Sequence, residues 1–491
     1  MTIRRTKIVA TLGPASSSPE VIEQLILAGL DVARLNFSHG TAQEHKARAR
    51  LIREIAARNG RHVALMGDLQ GPKIRIAKFS GKRIDLKAGD KFSFSTVHPL
   101  TEGNQDIVGI DYPDLVKDCG VDDELLLDDG RVVMRVETAT ADALHCVVLV
   151  GGPLSDHKGI NRKGGGLTAP ALTEKDKADI KLAAEMDLDY LAVSFPRDAG
   201  DMHYARKLRD ESGGSAWLVA KIERAEAVAD DATLDGLIAA SDAVMVARGD
   251  LGVEIGDAEL IGIQKKIIQH ARRNNKAVIV ATQMMESMIQ NPMPTRAEVS
   301  DVANAVLDNT DAVMLSAESA AGAYPVEAVQ AMARICLGAE KHPTNQKSSH
   351  RLYTRFERCD ESIALAAMYT ANHFPGVKAI IALTESGYTP LVMSRLRSQV
   401  PVYALTPHRA TQARTSMFRG VYPIAFDPAS LPAEKVTQAA VNELLQRDLV
   451  QEGDWVILTK GDSYHLVGGT NGLKIIQVMP TQEEHEAPPK G

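Results

Sequence analysis

Cysteine, aromatic residues and long apolar runs are all scarce in this chain of 491 residues. The four cysteines, Cys119, Cys146, Cys336 and Cys359, are far apart and form no Cys-x-x-Cys pair, which argues against a disulfide framework and a zinc site. No apolar run approaches the roughly 18 residues that a membrane span requires. The first residues lack the apolar core of a signal peptide. We therefore expect a cytoplasmic protein with reduced thiols and no membrane partner.

An excess of positive charge is also absent. The formal net charge is −7, with 24% charged and 44% hydrophobic residues. This composition is typical of a globular protein and argues against a nucleic-acid partner. The last residues, 481–491, are rich in Glu and Pro, which predicts a disordered tail.

Strand and helix patterns alternate over residues 1–69 and 168–342, and together these parts contain eight strand–helix units. Eight units predict a (β/α)8 TIM barrel with its active site at the C-terminal strand ends. Residues 70–167 hold short alternating β runs and many glycines, which predicts an inserted small β-barrel that serves as a lid domain. Residues 343–480 begin with a polar linker and predict a C-terminal open α/β sheet domain. Its pattern indicates four strands, at 379–383, 402–405, 455–459 and 473–478.

Charged residues follow two neighbouring strands of the predicted barrel. Lys221 and Glu223 are two residues apart in a strand and therefore share one face, whereas Asp250 follows the next strand. Buried charges cost several kcal/mol unless they are paired or bind a metal. The pattern favours a site for a divalent cation and a phosphorylated substrate, and a structural Lys–Glu pair is the alternative.

Five motifs in this order resemble those of the pyruvate kinase family. They are RLNFSHG at 34–40, AKIE at 220–223, ARGD at 247–250, TQM at 282–284 and PTRAE at 294–298. The resemblance extends over about residues 5–480. It implies the final step of glycolysis, in which phosphoenolpyruvate transfers its phosphoryl group to ADP and gives pyruvate and ATP.

The resemblance implies a role for each candidate residue. Lys221 would stabilise the charge that develops during transfer, and Arg34 would bind the phosphate. Gly249, Asp250 and Thr282 would bind the substrate carboxylate, with Thr282 near the carbon that is protonated. Mg²⁺ is the expected cofactor, with two carboxylate ligands, Glu223 and Asp250. The nucleotide phosphates would contact Asn36, His39, Arg75 and Lys158, and closure of the insert would exclude water.

One segment departs from many family members, which need K⁺. The monovalent-ion ligands would map to Asn36, Ser38, Asp68 and the Leu69 carbonyl. Many relatives have Glu where this chain has Lys73. We expect the Lys73 ammonium to replace the charge of K⁺, so that K⁺ is not required. The alternative is that Lys73 is a solvated loop cation.

The C-terminal region contains a hydroxyl-rich turn at the start of a predicted helix, 389–397. Phosphorylated effectors bind the equivalent loop in the family, so the candidate allosteric residues are Thr384, Ser386, Gly387, Tyr388 and Thr389. Because Glu385 stands where bisphosphate-responsive relatives usually have a basic residue, and because 462–465 reads DSYH, we expect a sugar monophosphate or nucleoside monophosphate. The resemblance also implies a homotetramer.

Two other functions compete with the kinase. A barrel aldolase or lyase that acts on an enolate through Mg²⁺ would explain the carboxylates, but it leaves the lid and the nucleotide cations without a purpose. A non-catalytic metabolite sensor would use only the C-terminal turn. The set of Lys221, Glu223, Asp250 and Thr282 favours a kinase over a sensor.

Overall fold

The computed structural model describes residues 3–345, 351, 354–462 and 466–479. The predicted disordered tail, 481–491, and residues 463–465 of the DSYH loop lie outside these ranges, as does most of the predicted linker.

The barrel begins with three buried parallel strands. The first helix starts at Pro19 because the Ser18 side chain accepts the Val21 amide, and it ends at Gly29, whose φ is 116°. The second helix starts with a reciprocal capping box between Thr41 and Glu44. The elements are β1 (Lys7–Leu12), α1 (Pro19–Ala28), β2 (Val32–Asn36), α2 (Ala42–Arg58) and β3 (Ala64–Asp68).

The insert after β3 is built from short strands and one short helix around a single apolar core. Its elements are β4 (Arg83–Leu86), β5 (Lys91–Ser95), β6 (Ile107–Gly109), α3 (Leu115–Asp118), β7 (Glu124–Leu127), β8 (Val132–Ala139), β9 (Ala143–Val150), β10 (Gly152–Ser155) and β11 (Ile160–Arg162). Six strands form a sheet in the order β11-β7-β8-β9-β5-β6, and β10 pairs with β4. The predicted β insert is confirmed as a separate, mostly antiparallel sheet domain, but the short helix α3 was not predicted. Both ends of the insert meet at the barrel, where Arg75 pairs with Gly159 in an isolated bridge.

The remaining five strands close the barrel in the order β1-β16-β15-β14-β13-β12-β3-β2. The elements are α4 (Glu174–Glu185), β12 (Tyr190–Val193), α5 (Ala199–Glu211), β13 (Trp217–Ile222), α6 (Asp231–Ala240), β14 (Ala243–Ala247), α7 (Arg248–Ile255), α8 (Asp257–Arg273), β15 (Ala277–Ala281), α9 (Arg296–Leu307), β16 (Ala312–Leu315), α10 (Ala317–Ala320) and α11 (Pro325–Ala339). The closed ring of eight parallel strands confirms the predicted TIM barrel. The short helices α7 and α10 were not predicted.

The C-terminal domain is an open five-stranded sheet in the order β19-β18-β17-β20-β21, with β21 antiparallel to β20. Its elements are α12 (Cys359–His373), β17 (Val377–Leu383), α13 (Tyr388–Ser394), β18 (Val402–Thr406), α14 (Arg409–Thr415), β19 (Val421–Ala425), α15 (Ala433–Gln446), β20 (Trp455–Gly461) and β21 (Thr470–Gln477). The sequence pattern predicted four strands and was wrong about β19. The helix expected at 389–397 is shorter, because it ends at Ser394.

The C-terminal domain covers the end of the barrel at which the strands begin. Trp217, the first residue of β13, has its ring 6.0 Å from that of Phe418. The Tyr190 hydroxyl, at the start of β12, donates to the Arg414 carbonyl. The opposite end, where the strands finish, therefore remains available for the insert and the candidate site. No helix in the described part of the chain is long and apolar enough to cross a membrane.

Candidate active site

A buried ammonium group lies at the C-terminal end of β13. Lys221 Nζ is 2.9 Å from Glu223 Oε1 and 3.2 Å from Asp68 Oδ1. The same nitrogen donates to Ser194 Oγ at 2.7 Å. Burial alone would lower the pKa of Lys221, but the charges of Asp68 and Glu223 outweigh it and raise that pKa to about 12. The lysine is therefore a permanent positive charge at the mouth of the barrel.

Arg34, at the end of β2, extends this charged cluster. Its Nε donates to Asp68 Oδ2 at 2.6 Å, and its Nη1 donates to Thr11 Oγ1 at 2.7 Å. Burial raises the pKa of Asp68, but Arg34 and Lys221 together bring it below its ordinary value. Asp68 thus remains ionised and fixes two cations side by side. Arg34 and Lys221, which are distant in the sequence, can then both contact one anionic substrate.

Glu223 behaves differently from Asp68, although both are buried carboxylates. Its Oε2 accepts the Phe195 amide at 2.9 Å. Burial is the largest cause that raises the pKa of Glu223 to about 7. The charge of Lys221 lowers this pKa, and the like charge of Asp250 raises it. A bound cation would counter both effects, because its charge would replace the stabilisation by water that burial removes and would offset the repulsion by Asp250.

Asp250 lies in the first turn of α7 and pairs with a residue of the insert hinge. Lys73 Nζ is 3.0 Å from Asp250 Oδ1. Burial would lower the pKa of Lys73, but Asp250 raises it. The two side chains are 27% and 21% exposed, so this pair is only partly shielded from solvent. Among the described residues, no hydrogen bond or ion pair joins Lys73 to the predicted monovalent-ion ligands Asn36, Ser38, Asp68 and Leu69.

A hydroxyl and an amide meet between β14 and β15. The Gly249 amide donates to Thr282 Oγ1 at 2.8 Å, and the Thr282 hydroxyl donates to the Ala281 carbonyl at 2.6 Å. Thr282 and Gln283 both have left-handed backbone, with φ of 66° and 53°. The Arg248 guanidinium donates to the backbone carbonyls of both Thr282 and Gln283. The Gly249 amide is thus already paired with Thr282, and it would exchange this partner to bind a substrate.

The donor set fits one hard divalent cation. Glu223 and Asp250 supply carboxylate oxygens, which Mg²⁺-like ions prefer. Burial raises the pKa of Glu223 most, and the like charge of Asp250 adds to the rise. In the described residues, no group of three or more His, Cys, Asp and Glu side chains could hold a metal alone. A two-carboxylate site leaves further positions for substrate oxygens, which is the arrangement used with phosphorylated substrates.

Two of the four groups predicted to bind a monovalent ion accept hydrogen bonds within the protein. Asn36 Oδ1 accepts the Ser38 amide at 3.0 Å, and the Leu69 carbonyl accepts the Ser194 hydroxyl at 2.8 Å. Asp68 Oδ1 accepts no hydrogen bond, although the Lys221 ammonium is 3.2 Å away. Asp68 Oδ1 therefore has spare capacity as an acceptor.

The predicted nucleotide residues fall into two groups. Asn36 and His39 lie on the loop after β2, and the His39 carbonyl is held by the buried His45 ring at 2.9 Å. Arg75 and Lys158 lie on the paired hinge of the insert, where Arg75 donates to the His157 carbonyl. Lys158 Nζ is 2.8 Å from Asp128 Oδ1, within the insert itself. No hydrogen bond or ion pair between described residues joins the two groups.

A pocket in the C-terminal domain, open to solvent, is lined by four of the five predicted effector residues, Thr384, Ser386, Tyr388 and Thr389. Gly387, with φ of 83°, donates its amide to Thr384 Oγ1 at 2.9 Å. The Thr389 and Thr470 hydroxyls are 2.9 Å apart. The described lining contains hydroxyl groups and the Glu385 carboxylate, which pairs with His408, but no Lys or Arg.

Sequence reasoning missed two residues that organise the cluster. Ser194 links Lys221 to the Leu69 carbonyl, and Thr11 links Arg34 to the Leu315 carbonyl. Both are small hydroxyl residues close to the end of a barrel strand. That position was the available signal, because strand ends of a barrel are where functional groups gather.

Comparisons with known proteins agree with this architecture. Residues 3–329 match the family described as pyruvate kinase, barrel domain, and residues 361–476 match pyruvate kinase, alpha/beta domain. The chain is 56% identical over 478 residues to "Pyruvate kinase II" of Salmonella typhimurium, covering 97% of this chain and 99% of the relative. It is 54% identical to "Pyruvate kinase" of Haemophilus influenzae, covering 94% and 96%. With "Pyruvate kinase" of Geobacillus stearothermophilus it shares 41% identity, covering 96% and 80%. The chain therefore belongs to the pyruvate kinase family of phosphotransferases, which require a divalent metal cation.

Proposed function

We propose that the chain transfers the phosphoryl group of phosphoenolpyruvate to ADP with Mg²⁺, giving pyruvate and ATP in the last step of glycolysis. One observation carries this proposal. The Lys221 ammonium lies within 3.2 Å of two carboxylates at the barrel mouth, and Arg34 shares one of them. Phosphoryl transfer depends on such positioning and charge neutralisation rather than on covalent help from the protein.

Each of these residues of the chain has its own role in the proposed reaction. Arg34 binds the phosphoryl oxygens with its planar guanidinium, held in place by Asp68 and Thr11. Lys221 stabilises the charge that develops as the bond to the enol oxygen breaks. The Gly249 amide and the Thr282 hydroxyl, now bonded to each other, receive the substrate carboxylate and position the carbon that is protonated.

Mg²⁺ would be held by Glu223 and Asp250. When bound, it would supply positive charge to the phosphoryl and enolate oxygens. For the chain, this implies that Asp250 shares its carboxylate between the cation and the Lys73 ammonium, or that Lys73 moves away.

We also propose that the enzyme needs no K⁺, because Lys73 already brings a positive charge to this edge of the site. Because the partner of Lys73 is Asp250, the ammonium would not simply occupy the monovalent-ion position; it would supply its charge from beside Asp250. Assays in tetramethylammonium salts test the proposal. Full activity without K⁺ is expected, and activity that vanishes until K⁺ is added would disprove it. The Lys73→Gln variant is the matched case, in which a requirement for K⁺ should appear.

ADP would bind between the loop of Asn36 and His39 and the hinge cations Arg75 and Lys158. Because Lys158 now pairs with Asp128, closure would exchange that partner for nucleotide phosphates. Such closure excludes water from a labile phosphoryl group. Arg75→Gln should therefore raise KM for ADP more than KM for phosphoenolpyruvate.

The decisive experiment is a coupled assay with phosphoenolpyruvate, ADP and Mg²⁺. The wild type should form ATP, and Lys221→Met should lose about 10²–10³ in kcat. Lys265→Met is the matched control, since Lys265 pairs with Asp308 away from the barrel mouth. No ATP from the wild type would reject the kinase, and carbon–carbon cleavage of an enolate precursor would support the lyase.

A phosphorylated effector, a sugar monophosphate or a nucleoside monophosphate, is proposed for the pocket at Thr384, Ser386, Gly387, Tyr388 and Thr389. Hydroxyl and amide donors there support the proposal. Glu385 disfavours ligands of higher negative charge. Titration of these effectors and of fructose 1,6-bisphosphate into the assay tests it, and activation by the bisphosphate alone would contradict it.

We further propose a cytoplasmic homotetramer. Three of the four cysteines are buried and all four are free, which suits a reducing compartment. The mass of the assembly from light scattering and the compartment from cell fractionation test these two statements separately.

A further inference from the structure

The loop after β2, residues 36–40, contains two of the residues proposed to bind ADP, Asn36 and His39. The Ser38 amide donates to Asn36 Oδ1 at 3.0 Å, and the His39 amide donates to the Asn36 carbonyl at 3.3 Å. Among the described residues, neither Asn36 Nδ2 nor the ring of the exposed His39 has a hydrogen-bond partner. Both groups can therefore donate to phosphate oxygens if the loop keeps this shape.

Helix α2 supplies a third contact that fixes the loop. His45 Nε2 lies 2.9 Å from the His39 carbonyl oxygen. A carbonyl oxygen only accepts hydrogen bonds, so Nε2 carries the ring proton and donates it. The bond therefore anchors the loop on a helix whose own start is fixed by the capping box of Thr41 and Glu44.

The His45 ring packs closely against the loop that it binds. Its centroid is 5.0 Å from that of the Phe37 ring, and the two rings are inclined by 70°, edge to face. Gly40 has a left-handed φ of 82°, and a Cβ there would lie 3.4 Å from His45 Nε2. Residues on both sides of His39 therefore lie against the ring, which leaves little room for another orientation.

The polar ring is kept at this position at a cost in stability. His45 is 3% exposed, and its Nδ1 is buried without a partner among the described residues. An unsatisfied buried polar atom destabilises the folded state. Burial lowers the pKa of His45 by more than the bond to the His39 carbonyl raises it, so the ring is neutral near pH 7. A phenylalanine would fill a similar space without this cost, so the property that distinguishes histidine here is its Nε2–H donor.

We propose that His45 is a positioning residue for the nucleotide. Through its bond to the His39 carbonyl, it holds the loop in the conformation that presents Asn36 and His39 to the phosphates of ADP. The proposal rests on the proposed kinase function, in which this loop binds ADP. Because His45 is itself buried, it acts through the loop rather than by contact with the nucleotide.

Loss of this bond should weaken the binding of ADP but not that of phosphoenolpyruvate. A loop with several conformations binds its ligand only in the fraction of molecules that has the competent one, and the affinity falls by that fraction. Arg34, which would bind phosphoenolpyruvate, lies within β2 and is held by Asp68 and Thr11. A selective rise of KM for ADP therefore distinguishes this role from general damage to the fold.

Steady-state kinetics of the full-length enzyme with phosphoenolpyruvate, ADP and Mg²⁺ test the proposal in two variants. His45→Phe keeps a ring but removes the donor, so KM for ADP should rise about 3- to 10-fold, as expected for one lost hydrogen bond, while kcat and KM for phosphoenolpyruvate stay unchanged. His45→Gln places an amide N–H near the position of Nε2 and should recover most of the wild-type KM. The melting temperature of His45→Phe should change little, because relief of the buried Nδ1 offsets the lost bond. His45→Leu replaces His45→Phe if that variant fails to fold.

His270→Phe is the matched control. His270 is also buried, at 7% exposed, and its ring bonds Asp235 Oδ1 from helix α8, away from the loop. This change should leave KM for ADP at the wild-type value. An unchanged KM for ADP in His45→Phe, a rise of equal size in both KM values, or no recovery in His45→Gln would each overturn the proposal.

Calorimetric titration with ADP and Mg²⁺ separates failure of this proposal from failure of the proposed function. If the wild type forms no ATP but binds ADP more tightly than His45→Phe does, the kinase is rejected and the role of His45 stands. If the wild type forms ATP and the two proteins bind ADP equally, the kinase stands and the role of His45 is rejected. If the wild type neither forms ATP nor binds ADP, both are rejected.

Discussion

Arg248 binds both carboxylate oxygens of Asp301, at 2.8 and 2.7 Å. The same guanidinium donates to the carbonyl of Thr282 at 3.2 and 2.8 Å and to that of Gln283 at 3.1 Å. These last two residues have left-handed backbone, a conformation that costs about 1–3 kcal/mol for a residue other than glycine. The Arg248–Asp301 pair therefore holds the strained turn that presents the Thr282 hydroxyl to the Gly249 amide.

Replacing Arg248 by Lys should lower kcat by about 10- to 100-fold, because an ammonium group cannot bind two carbonyls and a carboxylate together and a small displacement of Thr282 is costly. Steady-state kinetics with phosphoenolpyruvate and ADP measure the effect, and KM for ADP should stay unchanged. Arg197→Lys, at a similar ion pair with Asp201 on the outer helix layer, is the control. Equal losses in the two variants would show that the turn does not depend on Arg248.

Removal of the Ser194 hydroxyl should impair the positioning of Lys221 in the active site. In Ser194→Ala, the Lys221 ammonium loses its contact at 2.7 Å and the Leu69 carbonyl loses its donor at 2.8 Å. We expect kcat to fall about tenfold and the free energy of unfolding to fall by about 1–3 kcal/mol, because the buried Leu69 carbonyl is left without a donor. Ser194→Thr keeps the hydroxyl and should recover most of the activity. Loss of stability without loss of kcat would contradict this role.

The strand period predicted the central relationship correctly. Lys221 lies in β13 and Glu223 directly follows its last residue; their side chains lie on the same side, as alternation predicts, and meet at 2.9 Å. Ser194 was missed because the apolar pattern extends the fourth barrel strand to Phe195. The strand in fact ends at Val193, and Phe195 has a φ of 56°, so the chain turns where the sequence pattern indicates a strand.

Contacts between distant segments could not be derived from local pattern. Lys73 meets Asp250 across 177 residues, and only the path of the insert hinge brings them together. The missed strand β19 has a specific cause, because Pro423 lies inside it and proline normally argues against a strand. It is tolerated because β19 pairs only with β18 and forms one edge of the sheet, where an amide hydrogen can be missing.

A buried glutamate should make the stability of the lid hinge depend on pH. Glu254 is 4% exposed, and its oxygens accept the Ala225 amide at 2.8 Å and the Asn161 amide group at 3.3 Å. Burial raises its pKa from 4.5 to about 7. Below the ordinary pKa the group is protonated whether the chain is folded or unfolded, and above pH 7 the folded protein carries the full cost of a buried charge.

Glu254→Gln should therefore stabilise the protein at pH 8 relative to wild type, by at most about 3 kcal/mol, and much less at pH 5. Melting temperatures of both proteins between pH 5 and pH 8 measure the difference. Glu185→Gln is the control, because this carboxylate is exposed in its pair with Lys46. A difference that does not grow with pH would show that the hinge tolerates the charge.

Two glycine-to-alanine changes should have opposite effects on stability. Gly387 has a φ of 83°, and a Cβ there would lie 2.9 Å from Thr415 Cγ2. Gly387→Ala should therefore lower the free energy of unfolding by about 1–3 kcal/mol. Gly338 lies inside helix α11 with nothing within 4 Å of an added Cβ, so Gly338→Ala should raise stability by about 0.5–1 kcal/mol. Urea unfolding of the two variants decides the matter. If Gly387→Ala were as stable as wild type, the turn that lines the effector pocket would not require left-handed backbone.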